Sequence, residues 1–416
     1  MSRPLGHPES QPLASDASRG VLRNRPFRAL WGSQAVSSLG DPLQAIALAF
    51  VVIDRDAGPL ALSAVVIAIA IPRGVAALLG GPLVDRYGPL RMLVLSDAVR
   101  ALASAVLAIL VITDAPIWTL MPPLVATGLA GGVFRPAILA SVTVLVAREK
   151  FQSATSLTQL NPQVAMMVGA PLAGLLVATV GKTAALTLNA TTFMVAAVVA
   201  EVVRRSVAAP SDGQPEDEET LLRAFFAGLK HLTADRALGL LILLDGVVDL
   251  ATAGQLSIGL PLISEDLGGA VALGWLLAGF GAGSVISLVA MVFAPRLSHR
   301  GLLICLLQIP QAGLLAIVPF VSLPLSSAAL FGMAALNGVC TVLFFAVIQE
   351  RTPERMLGRV LGLSAVAGFA LQPVGQVATG VIASVSTAPT TFLTSACIVV
   401  AASTLGALNK SVRNMH

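Results

Sequence analysis

GGPLVDRYGPLRM, residues 80–92, is a glycine-rich charged turn at the junction of two apolar runs, 62–84 and 91–112. Crossing ~30 Å of hydrocarbon takes about 20 apolar residues in a helix, and each run has that length. The pattern continues on both sides of the turn. Further runs lie at 28–53, 118–146, 157–180, 184–203, 238–263, 270–293, 302–321, 325–349, 360–383 and 390–408. Hydrophobic residues are 56% of the chain and charged residues 12%, with a mean hydropathy of +0.86. Soluble domains carry roughly 45–50% apolar and about 25% charged residues. The expected fold class is therefore an all-α membrane protein of twelve transmembrane helices. Proline and glycine inside several runs are compatible with this, because neighbouring helices can satisfy the carbonyls they free.

Charge supplies the sidedness. Of the 26 lysines and arginines, Arg73, Arg100 and Arg135 fall within spans, and Arg55 and Lys182 fall on one set of loops. The other 21 lie on the opposite side, which the positive-inside rule makes cytoplasmic. Both termini are expected in the cytoplasm of a multi-pass cell-membrane protein. The net charge of +4 thus reports topology, and no nucleic-acid partner is expected. Residues 1–26 are polar, without a signal-peptide core, and read as a disordered cytoplasmic tail. Residues 204–236 form the longest polar connection and divide the chain into bundles 27–203 and 237–408, with a tail at 409–416. Within this linker, the apolar stripe Leu221, Leu222, Phe225, Leu229 and Leu232 predicts an interfacial helix.

Several classes of function lack their residues. Cys305, Cys340 and Cys397 lie in apolar runs without metal spacing, and His7, His231, His299 and His416 lie outside the runs. No metal site, nucleophile–base pair or phosphate-binding GxxxxGK[ST] loop is present in the sequence. An enzyme and an ATP-driven pump are thereby disfavoured, and no cofactor is expected. The partners expected are a small-molecule substrate and the bilayer, with the chain working as a monomer.

The halves repeat weakly. VAMMVGAPLAG (Val164–Gly174) and ALQPVGQVATG (Ala370–Gly380) share Val-Gly in register, and Asp41 and Asp249 sit near the centres of spans 1 and 7. Two related six-helix halves form a transporter plan, with substrate at the midplane between them. The turn at 80–92 makes the plan specific. Gly81, Asp85, Arg86, Gly88 and Arg91 resemble the signature loop of the major facilitator superfamily, although Pro89 and Leu90 stand where further basic residues are usual. In the second half, APRLSHRG (Ala294–Gly301) has Ser298 in place of the aspartate. SDAVRA (Ser96–Ala101), LVAREKFQSATSL (Leu145–Leu157), LNATTFMVAA (Leu188–Ala197) and TPERMLGRVLG (Thr352–Gly362) resemble the superfamily's exporter branch for macrolides, drugs and siderophores. The resemblance implies two pseudo-symmetric bundles and alternating access. It also implies a cytoplasmic gate in which Asp85 docks on the positive end of span 11 or on Arg355–Arg359.

Charges at the bilayer centre cost at least ~2.5–3.5 kcal/mol each and are functional candidates by default. Asp97 and Arg100 are three residues apart and are expected to form a structural pair. Asp41, Asp245 and Asp249 then face Arg73 and Arg135, leaving one carboxylate unmatched and suited to carrying a proton. Arg73 is expected to face the cavity and pair with Asp41 or a span 7 aspartate in at least one state. Candidate cavity-lining residues are Gln44, Gln159, Asn161, Gln163, Met166, Met167, Gln255, Asn337, Gln372 and Gln376. The leading expectation is a proton-gradient-driven exporter of a hydrophobic or amphiphilic molecule, such as an antibiotic, implying efflux and resistance. The alternatives are export of an anionic metabolite or siderophore, with Arg73 and Arg135 holding it, and a proton-coupled nutrient symporter.

Overall fold

The computed structural model describes residues 20–207, 235–292 and 299–413. The side chains of 236, 292, 354, 355, 357–359 and 361–370 fall outside that description, as does the expected interfacial helix at 221–232. Among the described residues every regular element is helical. The first half contains α1 (Arg25–Ile53), α2 (Gly58–Tyr87), α3 (Pro89–Ile112) and α4 (Met121–Leu145). It continues with α5 (Phe151–Val164 and Ala170–Thr179, joined by a π turn at Ala165–Gly169) and α6 (Lys182–Ser206). The second half opens with α7 (Arg236–Gly254), which runs through a second π turn at Gln255–Gly259. Helix α8 follows from residue 270, after a break where Gly268 and Gly269 take φ of 122° and 69°. Next come α9 (Arg300–Ile317), α10 (Leu323–Arg351), α11 (Glu354–Val385) and α12 (Ala388–Leu408).

Local chemistry explains the boundaries. Proline stands at the first helical positions of α1, α2, α3, α10 and α12, where its missing N–H costs nothing. Between α2 and α3 the chain reverses at Gly88, whose φ of 85° needs a residue without Cβ. Its N–H closes α2 on the Val84 carbonyl at 2.8 Å. Helix α11 starts at Glu354 rather than near residue 360, so its positive end extends further from the bilayer than hydropathy suggests.

Asp235 caps α7. Its carboxylate accepts from the amides of Ala237 and Leu238 at 3.1 Å and from Arg351 at 3.0 Å. Partial burial pushes its pKa up, but the Leu238 amide, Arg351 and the Ala237 amide outweigh this and hold it below the ordinary aspartate value. A depressed native pKa stabilises the fold above the unfolded-state value, and the contribution is lost as pH falls through the native one. Asp235→Ala should therefore cost about 1 kcal/mol at neutral pH. Thermal unfolding of the two proteins should converge in acid and stay apart at pH 7.

Helices α1–α6 pack on one another, as do α7–α12, and the halves meet along α2–α11 and α5–α8. One apolar core crosses both halves. It joins Ile46 to Val52, Leu62, Val177 and Leu186 to Ile258, Leu273, Leu277 and Phe392. All of these lie toward the face that the charge pattern assigns to the outside. Toward the other face the core splits in two, one around Phe27, Leu93 and Ala200 and the other around Leu241, Ile304 and Val347. Among the described residues, the halves are therefore sealed together at one end and share no apolar core at the other.

Candidate transport site

The sealed end depends on glycines. A Cβ on Gly274 would meet the Ala170 carbonyl oxygen at 2.6 Å, and one on Gly174 would strike the Ala270 carbonyl. Gly380 sits against Ser63, whose hydroxyl bonds the Gln376 carbonyl at 3.4 Å. Small residues allow backbones from the two halves to touch here. At the other end, Leu78, Leu79, Pro82, Asp85 and Arg86 of α2 are exposed. The Arg86 guanidinium lies over Tyr87 at 5.4 Å, while Gly81 has open space beside it. The Arg355 and Arg359 side chains, the expected partners of Asp85, lie outside the described residues.

Three of the mid-depth charges of the first half form one cluster. Arg100 of α3 bonds Asp41 Oδ1 of α1 at 3.0 Å through Nη2 and Asp97 Oδ1 at 3.3 Å through Nη1. Gln34 Nε2 donates to the second Asp97 oxygen at 2.8 Å. Rings cover the guanidinium, with Phe134 and Phe193 centroids 4.9 and 3.8 Å from Cζ, a geometry that adds cation–π attraction. Asp97 is fully buried, and the Arg100 side chain is 8% exposed.

Asp97 and Arg100 pair as expected, at 3.3 Å, and Arg100 also takes Asp41. Arg73, expected to pair with Asp41 or a span 7 aspartate in at least one state, makes no ion pair among the described residues in this one. Its guanidinium instead lies on α4 against Gly131, where a Cβ would stand 3.3 Å from Nε. Gly131 is one helical turn from Arg135, so the two guanidinium-bearing side chains share a face of α4. Arg73 and Arg135 both keep accessible surface.

Asp245 and Asp249 occupy one face of α7, four residues apart and partly buried. Neither has an ion pair among the described residues. The polar candidates divide. Gln159, Asn337 and Gln372 are exposed, and Gln163, Met166 and Met167 are partly exposed. Gln44 is withdrawn from the cavity, accepting from Ser104 Oγ and Asn189 Nδ2, each at 3.0 Å. Gln255 is likewise consumed, donating to the Thr391 carbonyl at 3.0 Å and Ser395 Oγ at 2.8 Å. Asn161 and Gln376 are also buried. Gln34, Ser104, Phe134, Asn189 and Phe193 were not anticipated as members of the polar framework. Their only sequence signal is polarity or aromaticity in an apolar run, which says nothing about direction.

Residues 30–376 match the model of the Major Facilitator Superfamily. The chain belongs to that superfamily. It is 28% identical over 295 residues to the enterobactin exporter EntS of Shigella boydii serotype 18, covering 69% of this chain and 68% of that one. The superfamily fold is also seen in two similar solved structures. A bacterial homologue of the iron transporter ferroportin in an inward-facing state superposes with a TM-score of 0.70 at 15% identity, over 92% of this chain and 98% of that one. A bacterial homologue of the human lysosomal transporter Spinster, inward-facing and unoccupied, gives 0.67 at 13% identity over 98% of each chain. This superfamily member is a multi-pass membrane transporter of small molecules.

Proposed function

We propose that the protein exports a small amphiphilic molecule bearing an acidic group, using a proton gradient and alternating access. One observation carries the reading. Arg73 reaches α4 at Gly131, one turn from Arg135, both guanidinium-bearing side chains keep accessible surface, and neither is bonded to a described carboxylate. Guanidinium groups hold carboxylate, phosphate or catecholate oxygens through paired N–H bonds, and export of the siderophore enterobactin by the relative fits that chemistry. With the charge pattern setting sidedness, the end where the described residues share no apolar core is the cytoplasmic one, which supports a cargo-accepting inward-facing state. Asp245 and Asp249 are the proposed proton carriers, because neighbouring carboxylates on one face make protonation of one easier. Their lack of a described cation favours a second reading, recognition of a cationic drug at α7.

Proteoliposomes with an imposed pH gradient separate these readings, using enterobactin, a neutral macrolide and a lipophilic cation as cargo. Arg73→Gln and Arg135→Gln should each raise KM for enterobactin by about tenfold and leave the neutral compound unaffected. Asp245→Asn with Asp249→Asn should abolish cargo-evoked proton flux. Transport of the cation alone, insensitive to either arginine, would replace the first reading with the second.

A further inference from the structure

The three arginines within the spans have different surroundings. Arg100 is matched by Asp41 and Asp97, whereas Arg73 and Arg135 have no ion pair among the described residues and keep accessible surface. Three glycines of α4 meet α2, and they do two separate jobs. A Cβ on Gly128 would strike the Ile69 carbonyl, and one on Gly132 would strike the Arg73 carbonyl and stand 2.7 Å from Ala76 Cβ. These two set how closely the backbones of α2 and α4 approach. Gly131 differs. The atoms nearest to a Cβ there are Nε, Nη2 and Cζ of Arg73, at 3.3, 3.6 and 3.7 Å, with no backbone atom among them. Backbone packing therefore does not call for glycine at 131, and alanine is the better helix former. The contact that glycine permits is with the guanidinium alone.

The tip of Arg73 thus occupies the place that a side chain at 131 would take. Arg135 follows four residues later on the same face of α4, about 6 Å along the axis. Two cations at that spacing repel one another, and an oxyanion between them replaces repulsion with charge-assisted hydrogen bonds to both.

We infer that Gly131 is a positioning residue for cargo recognition: by leaving its side-chain place empty it seats the Arg73 guanidinium one helical turn from Arg135, so that one acidic group bonds both. This rests on the anion-binding reading above and adds the residue that joins the two arginines into one site.

The test uses the purified full chain in proteoliposomes and nanodiscs. Gly131→Ala should raise KM for enterobactin about fivefold, the worth of one hydrogen bond, without changing kcat or transport of the neutral macrolide. Its unfolding temperature should not fall, whereas Gly132→Ala, which strikes backbone, should lower it. In an Arg73→Gln background Gly131→Ala should add nothing, because both act on the same contact. Enterobactin should protect Arg73 and Arg135 together from phenylglyoxal, read by peptide mass spectrometry, and Gly131→Ala should weaken the protection of Arg73. Gly131→Ser provides a second variant if Gly131→Ala fails to fold. An unchanged KM in a folded Gly131 variant, an equal loss for the neutral macrolide, or full additivity with Arg73→Gln would overturn the positioning role. If enterobactin export were instead indifferent to Arg73→Gln and to Arg135→Gln, the anion-binding reading itself would fall, whatever Gly131 does.

Discussion

Gly174→Leu is expected to reduce transport by about ten- to a hundredfold while the protein still inserts and folds. The residue lies where α5 meets the start of α8, and any side chain there would strike the Ala270 carbonyl and approach Val271 Cα at 3.2 Å. Overpacking a close seam costs about 1–3 kcal/mol, and each ~1.4 kcal/mol is a factor of ten in a two-state equilibrium. The penalty falls only on the state in which this end is sealed, so the population shifts toward the opposite opening. Gly380→Leu should act in the same direction, because it displaces Ser63 on α2. Gly313→Leu is the matched control, since a Cβ added there would meet nothing within 4 Å. The check is cargo flux together with maleimide labelling of a cysteine placed at Ala57, beside the sealed end. Flux unchanged in both seam variants would show that this seam does not open during transport.

Arg100→Leu is the second large effect, and it concerns stability. Removing the guanidinium strands Asp97 with no surface exposure and only Gln34 for company. Breaking a buried ion pair on one side costs about 3–5 kcal/mol, and the rings of Phe134 and Phe193 lose the group between them. The detergent-solubilised variant should unfold at a clearly lower temperature. Adding Asp97→Leu removes the stranded charge and should recover much of the loss. A double variant as unstable as the single one would mean that the rings and Asp41, rather than Asp97, account for the cost.

Much of the fold was legible in one dimension. The turn at 80–92 returned as the α2–α3 connection, with Gly88 at the position that needs positive φ. The apolar runs returned as helices, although α2 begins at Gly58 and α11 at Glu354, a turn or so beyond the hydropathy limits. Helical hydrogen bonding continues into the polar interface, where hydropathy has already fallen. The π turns at Ala165–Gly169 and Gln255–Gly259 had no signal in composition. A single inserted residue changes which face a helix presents without changing its apolarity. The same limit governs the site. Gln44 and Gln255 look like Gln159 and Gln372 in sequence, yet the first two are spent on neighbouring helices and the others are open.

Sequence alone determined the membrane class, the span positions, the expected sidedness and the family, because bilayer thickness and positive-inside bias act on length and charge along the chain. Tertiary structure alone decided which charges meet. Asp41 and Arg73 share a depth, which hydropathy could show, but Arg100 holds Asp41 at 3.0 Å while Arg73 lies along α4 at Gly131. Depth follows from counting residues at 1.5 Å each. Direction depends on how each helix is rotated, and glycine contacts and the Phe134–Phe193 clamp set that rotation through packing of residues far apart in the chain.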